Sequence, residues 1–382
     1  MRTLLRLAGI GALFALELLI SQGAETESSP ESIVSSGPAR HSVEAASEAL
    51  WTSGIIVTDE SAGYQFRGSQ WDLSLSVSYS TLDLTYQPAD FDIISRPMEL
   101  NQRRVALQGG LKRKLAPSLT LLGSGGVYDG YTSYRTLWVT EYYRQYYFEV
   151  PGYQKTEPRG LNLSAGVRWE YRPASGFLQV DGIYSRDDIP SGYEIVVLPP
   201  PRIGTALLSS PNRLHTVGAR LSLENVLSRR LRALNEFQIA DTTARNPRLS
   251  YQGSLNWALG ERWVFRPVVG ASLEEPNFNS VSFAASLEYD WEQRWFLGLI
   301  GRFYRDSGEI ANPQLFNVAA PALETFQVGV GLRWQGDRWS AKLTAGPYFT
   351  RYDAVEADIK PFEKLYRSRD WGLAQVTLSC AF

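Results

Sequence analysis

The chain has 382 residues and a net charge of −2, so no global field points to nucleic acid or to an anionic surface. It is 44% hydrophobic with a mean hydropathy of −0.22, and its only long apolar block lies at the N-terminus, so nothing later reads as a membrane-spanning helix. One cysteine, Cys380, and two histidines, His41 and His215, argue against a disulfide framework and against a transition-metal site, and no cofactor is expected.

Arg2 and Arg6 precede the apolar stretch from Leu7 to Ile20, which only Glu17 interrupts, and Ser21, Gly23 and Ala24 follow it. This order of a basic, an apolar and a small-residue region predicts an export signal over residues 1–23. Residues 24–70 carry Ser28, Ser29, Pro30, Ser35, Ser36, Gly37 and Pro38 and lack any strand period. They are expected to form a flexible periplasmic leader, with a short helix over Ser42 to Leu50.

From residue 71 to 382 the pattern changes to alternating apolar and polar residues. Leu161, Leu163, Ala165, Val167, Trp169 and Tyr171 alternate with Asn162, Ser164, Gly166, Arg168 and Glu170. A period of two gives a strand with one apolar and one polar face. About fourteen such runs are predicted: 71–86, 102–115, 118–128, 160–171, 176–185, 214–226, 230–240, 248–259, 262–274, 280–291, 294–305, 323–335, 338–350 and 369–382. In the first, Leu73, Leu75 and Val77 give way to Leu82 and Leu84, which predicts a bulge near Ser80 and Thr81.

Tight turns such as Ala116-Pro117, Gly260-Glu261 and Gly336-Asp337 alternate with longer connections such as 129–159 and 186–213. The fold class is therefore all-β, a transmembrane antiparallel up-and-down β-barrel of about fourteen strands, with turns on the periplasmic side and loops outside. Trp71, Trp169, Trp257, Trp263, Trp291, Trp295, Trp334 and Trp339 all fall beside the turns. That is the level of a membrane–water boundary, where an indole is both solvated and buried.

In the last run Gly372, Ala374, Val376, Leu378, Cys380 and Phe382 share one face, and Phe382 is the final residue. This resembles the assembly signal of bacterial outer-membrane β-barrel proteins, with no specific subfamily. The resemblance implies export to the outer membrane of a Gram-negative bacterium, insertion by the barrel-assembly machinery, and outer-membrane lipid as the surroundings.

No nucleophile, base and orienting group converge anywhere, so the chain is not expected to be an enzyme; Asn212 and Ser210 lie near His215 without completing a site. Asp187-Asp188 reads as a solvated pair in a loop rather than a Ca²⁺ site. The polar phase is rich in cations, and Arg104, Arg220, Arg266 and Arg302 lie furthest from the turns. Two readings stay open: cross-strand bracing by Arg–Glu pairs, and selection of anionic solutes in a lumen of net positive charge. Small inward residues such as Ser74, Ser76, Ser124, Gly126, Ser164 and Gly166 suit a watery bore.

The segment 129–159 crowds Tyr142, Tyr143, Tyr146 and Tyr147 among other aromatics, which are candidates for contact with a glycan. The expected function is a porin-like channel for passive diffusion of small solutes. The alternative is an accessory barrel that exports, binds or anchors an extracellular polysaccharide.

Overall fold

A computed structural model describes residues 40–52, 55–86, 98–130, 158–198, 204–243, 245–276, 278–292, 294–310, 319–320, 322–353 and 368–382. Its strands are β1 (Arg40–Thr52), β2 (Ile55–Arg67), β3 (Trp71–Tyr86), β4 (Met98–Ala116), β5 (Leu119–Gly130), β6 (Arg159–Arg172), β7 (Gly176–Leu198), β8 (Gly204–Ser228), β9 (Leu231–Thr242), β10 (Arg248–Leu259), β11 (Trp263–Glu274), β12 (Phe278–Glu292), β13 (Trp295–Asp306), β14 (Glu309–Ile310), β15 (Ala319–Ala320), β16 (Ala322–Gln335), β17 (Trp339–Asp353) and β18 (Arg369–Ala381). β14 and β15 make a separate two-stranded ladder. The other sixteen close an antiparallel barrel in chain order, sealed by β1 against β18.

The expected fourteen strands are thus sixteen. The two additions, β1 and β2, occupy residues assigned above to a leader, and Ser42 to Leu50 is strand, not helix. Residues 1–39 lie outside the described residues. The bulge expected near Ser80 is absent: β3 keeps one register with β2 and with β4 through Ser80 and Thr81. Leu82 simply takes the inward phase, while Tyr79, Thr81 and Asp83 continue the outward one. The expected loop 186–213 is also largely ladder. β7 and β8 pair as far as Leu198 and Gly204, beyond the last neighbours that β6 and β9 offer them.

Alternation sorts the side chains as expected. Trp71, Trp169, Trp257, Trp263, Trp291, Trp295 and Trp339 are outward and exposed at the end bearing the short turns, here the turn end. Leu73, Leu75, Val105, Leu107, Val127, Leu163, Val217, Leu299 and Val330 carry the apolar outward face toward the opposite, loop end.

At the seam, His41 and Phe382 exchange two backbone hydrogen bonds of 3.0 and 2.8 Å, and their rings stack with centroids 5.9 Å apart. Gly372 faces Trp51 across the same seam, where a Cβ would run into the indole. Both residues singled out in the last strand therefore serve the closure.

The inner wall has two unlike flanks. Along β16–β18 and β1–β3, toward the loop end, it is packed with Leu323, Tyr348, Trp371, Leu373, Leu50, Ile55, Val57 and Leu82, all buried. Leu50 is paired with Leu373 on one side and Val57 on the other, and Val57 with Leu82. Trp371 Nε1 donates to Thr350 Oγ1 at 3.1 Å, so the indole N–H is satisfied. Burying a side chain of this size contributes about 2 kcal/mol, enough to set strand register against a one-residue slip. The other flank is polar and carries the candidate site.

Candidate site on the charged flank of the lumen

Near the turn end the inward residues form two Arg–Glu–Arg brackets. Arg168 of β6 reaches over β7 to Glu224 of β8 at 3.1 Å, its guanidinium lying over the Phe177 ring at 4.3 Å. Arg232 of β9 binds the other oxygen of Glu224. On the far side Arg266 of β11 lies 3.4 Å from Glu288 of β12, and Arg333 of β16 reaches Glu288 over β13, its guanidinium 3.9 Å from the centre of the Phe296 ring. Each glutamate is thus held between two cations. In each bracket one arginine crosses a strand by lying on a phenylalanine face, where the ring quadrupole attracts it.

Further toward the loop end, Arg220 Nε lies 3.2 Å from Asp181, which also accepts from Gln179 Nε2 at 2.8 Å. Gly166 makes this possible, because a Cβ there would occupy the place of the Asp181 carboxylate. Ser222 donates to Glu236 at 2.8 Å, and Arg248 pairs with Glu274 at 2.9 Å above the Phe278 ring. Tyr128 donates to Asp187 at 2.5 Å with Arg104 over its ring at 4.8 Å, and Ser80 donates to Asp59 at 2.7 Å.

The four cations singled out in the sequence therefore separate. Arg220 and Arg266 are tied to carboxylates and brace the wall. Arg104 stacks on Tyr128 near the carboxylates of Asp59 and Asp187. Arg302, on β13, is inward and exposed. Its charge acts on Glu48 of β1, along a wall whose hydrogen-bonded row carries Gly298, Gly331, Thr344 and Gln375 between the two strands. Two glycines in that row leave room for the long side chain.

The expected positive excess narrows among the described residues. Glu44, Glu48 and Asp59 enter the lumen with the two unforeseen strands, and Asp187, Glu274 and Asp306 also share the inward phase; against them Arg40, Arg67, Arg248 and Arg369 are the added inward cations.

Asp187 and Asp188 lie in β7, not in a loop, and alternation sends them to opposite faces, so they do not share one cation. His215 is outward, with Nδ1 3.0 Å from the Tyr184 hydroxyl. Tyr142, Tyr143, Tyr146 and Tyr147 lie outside the described residues.

No protein-family model and no curated protein sequence matches the chain. Among solved structures it is similar to CdiB from Acinetobacter baumannii, with a TM-score of 0.54 and 9% identity over 90% of this chain and 60% of that one. The chain therefore spans less than two thirds of CdiB. A bacterial polysaccharide outer membrane secretin gives a TM-score of 0.48 at 9% identity, over 91% of this chain and 100% of the other. OccK11 (OpdR) from Pseudomonas aeruginosa gives 0.43 at 12% identity, over 90% and 96%. What is shared at such identities is the fold. The chain has the fold of the bacterial outer-membrane β-barrels, and no subfamily is assigned.

Proposed function

We propose that the chain forms a porin-like channel in the bacterial outer membrane, passing small hydrophilic solutes along the charged flank of its lumen. The observation that carries this reading is closure by sixteen strands over a partly small, polar inner wall. Sixteen strands about 4.8 Å apart and tilted by about 40° enclose a bore on the order of 30 Å between backbones. Ser74, Ser76, Ser124, Gly126, Ser164 and Gly166 fill little of it. In this reading the turn end is periplasmic, residues 1–23 direct export, and the barrel-assembly machinery reads the strand ending at Phe382.

The small excess of inward cations supports modest anion selectivity, set by individual side chains, in place of a strongly anion-selective field. Arg302 is the side chain best placed for that role. The polysaccharide alternative depends on Tyr142, Tyr143, Tyr146 and Tyr147 and takes second place.

The direct test is conductance of the purified, folded protein in planar bilayers. Stepwise single-channel currents are expected; a folded, inserted protein that passes no current overturns the proposal.

A further inference from the structure

Outside the lumen, at the loop end, one hydrogen-bonded row runs along the outward face from Val105 through Asp129, Arg159 and Asp188 to Arg213. Three arginines from three adjacent strands converge there on one carboxylate. Arg186 grips Asp188 with Nε and Nη2 at 3.0 to 3.2 Å. Arg159 and Arg213 approach from either side through Nε, at 3.5 and 3.7 Å. Asp188 is only 8% exposed, whereas the side chains of Arg159 and Arg213 are 68% and 62% exposed.

Because Nε makes the closest approach, the outer N–H groups of both guanidinium forks are not taken up by Asp188. Asp129 faces Arg159 across the ladder, and Arg103 lies two residues beyond Val105 on the same face, so the cluster keeps a net positive charge. Elsewhere on this rim Arg351 is matched by Asp370 at 2.7 Å.

The height of the cluster identifies its ligand. Directly below it on the outward face lie Leu107, Val127 and Leu161, then Leu163 and Val217. Trp169 stands ten residues down β6 from Arg159. Ten tilted residues rise about 25 Å, the height of the apolar band of such barrels. The cluster therefore sits where the headgroups of the outer leaflet meet the barrel, and paired guanidinium forks match phosphate geometry.

We infer that Arg159, Arg186 and Arg213, gathered by Asp188, form a binding site for a phosphate of an outer-leaflet glycolipid. The inference rests on the outer-membrane placement proposed above but not on the pore.

The test uses the full-length protein in detergent, with bisphosphorylated lipid A as probe, native mass spectrometry as readout and heat-modifiable gel migration as the check of folding. The wild type is expected to retain the lipid, and Arg159→Gln with Arg213→Gln to bind it at least about tenfold more weakly. Arg351→Gln, which removes one rim charge elsewhere, is expected to bind as the wild type does. Dephosphorylated lipid A is expected to bind the wild type as poorly as the intact lipid binds the double variant.

Unchanged binding by the double variant, or an equal loss in Arg351→Gln, overturns the site. Displacement of the lipid by millimolar inorganic phosphate overturns the lipid assignment. Should the double variant not fold, Arg159→Lys with Arg213→Lys keeps the charges while removing the forks, and binding equal to the wild type overturns the proposed geometry. Channel currents are expected to be the same in wild type and double variant, so loss of the site leaves the pore reading standing, and a non-conducting protein that still binds the lipid does the reverse.

Discussion

Arg220 and Arg302 share a charge and an inward phase, yet their surroundings give them different work. Arg220 answers Asp181, whose side chain is 3% exposed, so Arg220→Gln strands a buried carboxylate. Breaking a buried pair of this kind costs about 3 kcal/mol. A matching fall in the urea midpoint is expected, with ion selectivity unaltered; an unchanged midpoint would remove the bracing role. Arg302→Glu replaces an exposed lumen charge. Because the new carboxylate faces Glu48, a fall in stability of about 1 kcal/mol is expected, while the reversal potential in a KCl gradient shifts toward cations. A reversal potential that stays put would dismiss Arg302 as a selectivity residue. Alternation alone reveals which face each of these residues takes, and those faces were legible in the sequence. Their partners were not, because Arg168 and Arg333 each find a glutamate by crossing an intervening strand, and that depends on register and on the phenylalanine beneath.

At the scale of elements, β3 to β13 and β16 to β18 were legible because large apolar residues mark their outward face. β1 and β2 were not. Their outward phase holds Ala45, Ser47, Ala49, Thr58, Glu60 and Ala62, with large residues only toward the ends at His41, Val43, Trp51, Ile56, Tyr64 and Phe66. Their inward phase near the connection is apolar instead, with Leu50, Ile55 and Val57, so the period of two is erased. The Ala, Glu and Leu content of β1 then imitates a helix. Glu60 is the sharpest departure: it is exposed on the outward face, opposite Ser47 and Tyr79, between Tyr64 and Ile56 along its own strand. In the proposed outer-membrane setting a carboxylate facing lipid within the apolar band costs on the order of 1–2 kcal/mol. Glu60→Leu is therefore expected to raise the unfolding free energy by about 1 kcal/mol in lipid vesicles. A decrease would mean that the carboxylate is engaged by a partner in the membrane.

For the whole molecule, the two overlooked strands decide whether the sheet closes. The predicted fourteen strands leave β3 and β18 as the edges to be joined, whereas β18 pairs over ten residues with β1, from Ser42 with Ala381 to Trp51 with Gly372. β1 and β2 also supply Leu50, Ile55 and Val57 to the apolar inner flank and Glu48 and Asp59 to the lumen charge. In the proposed membrane setting, removing residues 40–67 would leave two sheet edges within the apolar band, where each unpaired backbone group costs several kcal/mol because no water replaces its partner. Rejoining β3 to β18 would also place the outward Leu73, Leu75 and Val77 beside a strand whose side chains are fitted to β1, with Gly372 losing the indole of Trp51 that covers it. A chain lacking residues 40–67 is therefore expected neither to show the heat-modifiable migration of a closed barrel nor to conduct in bilayers. A deletion that still folded and conducted would show that a fourteen-strand closure is available to this sequence, and that β1 and β2 line the barrel without being needed to seal it.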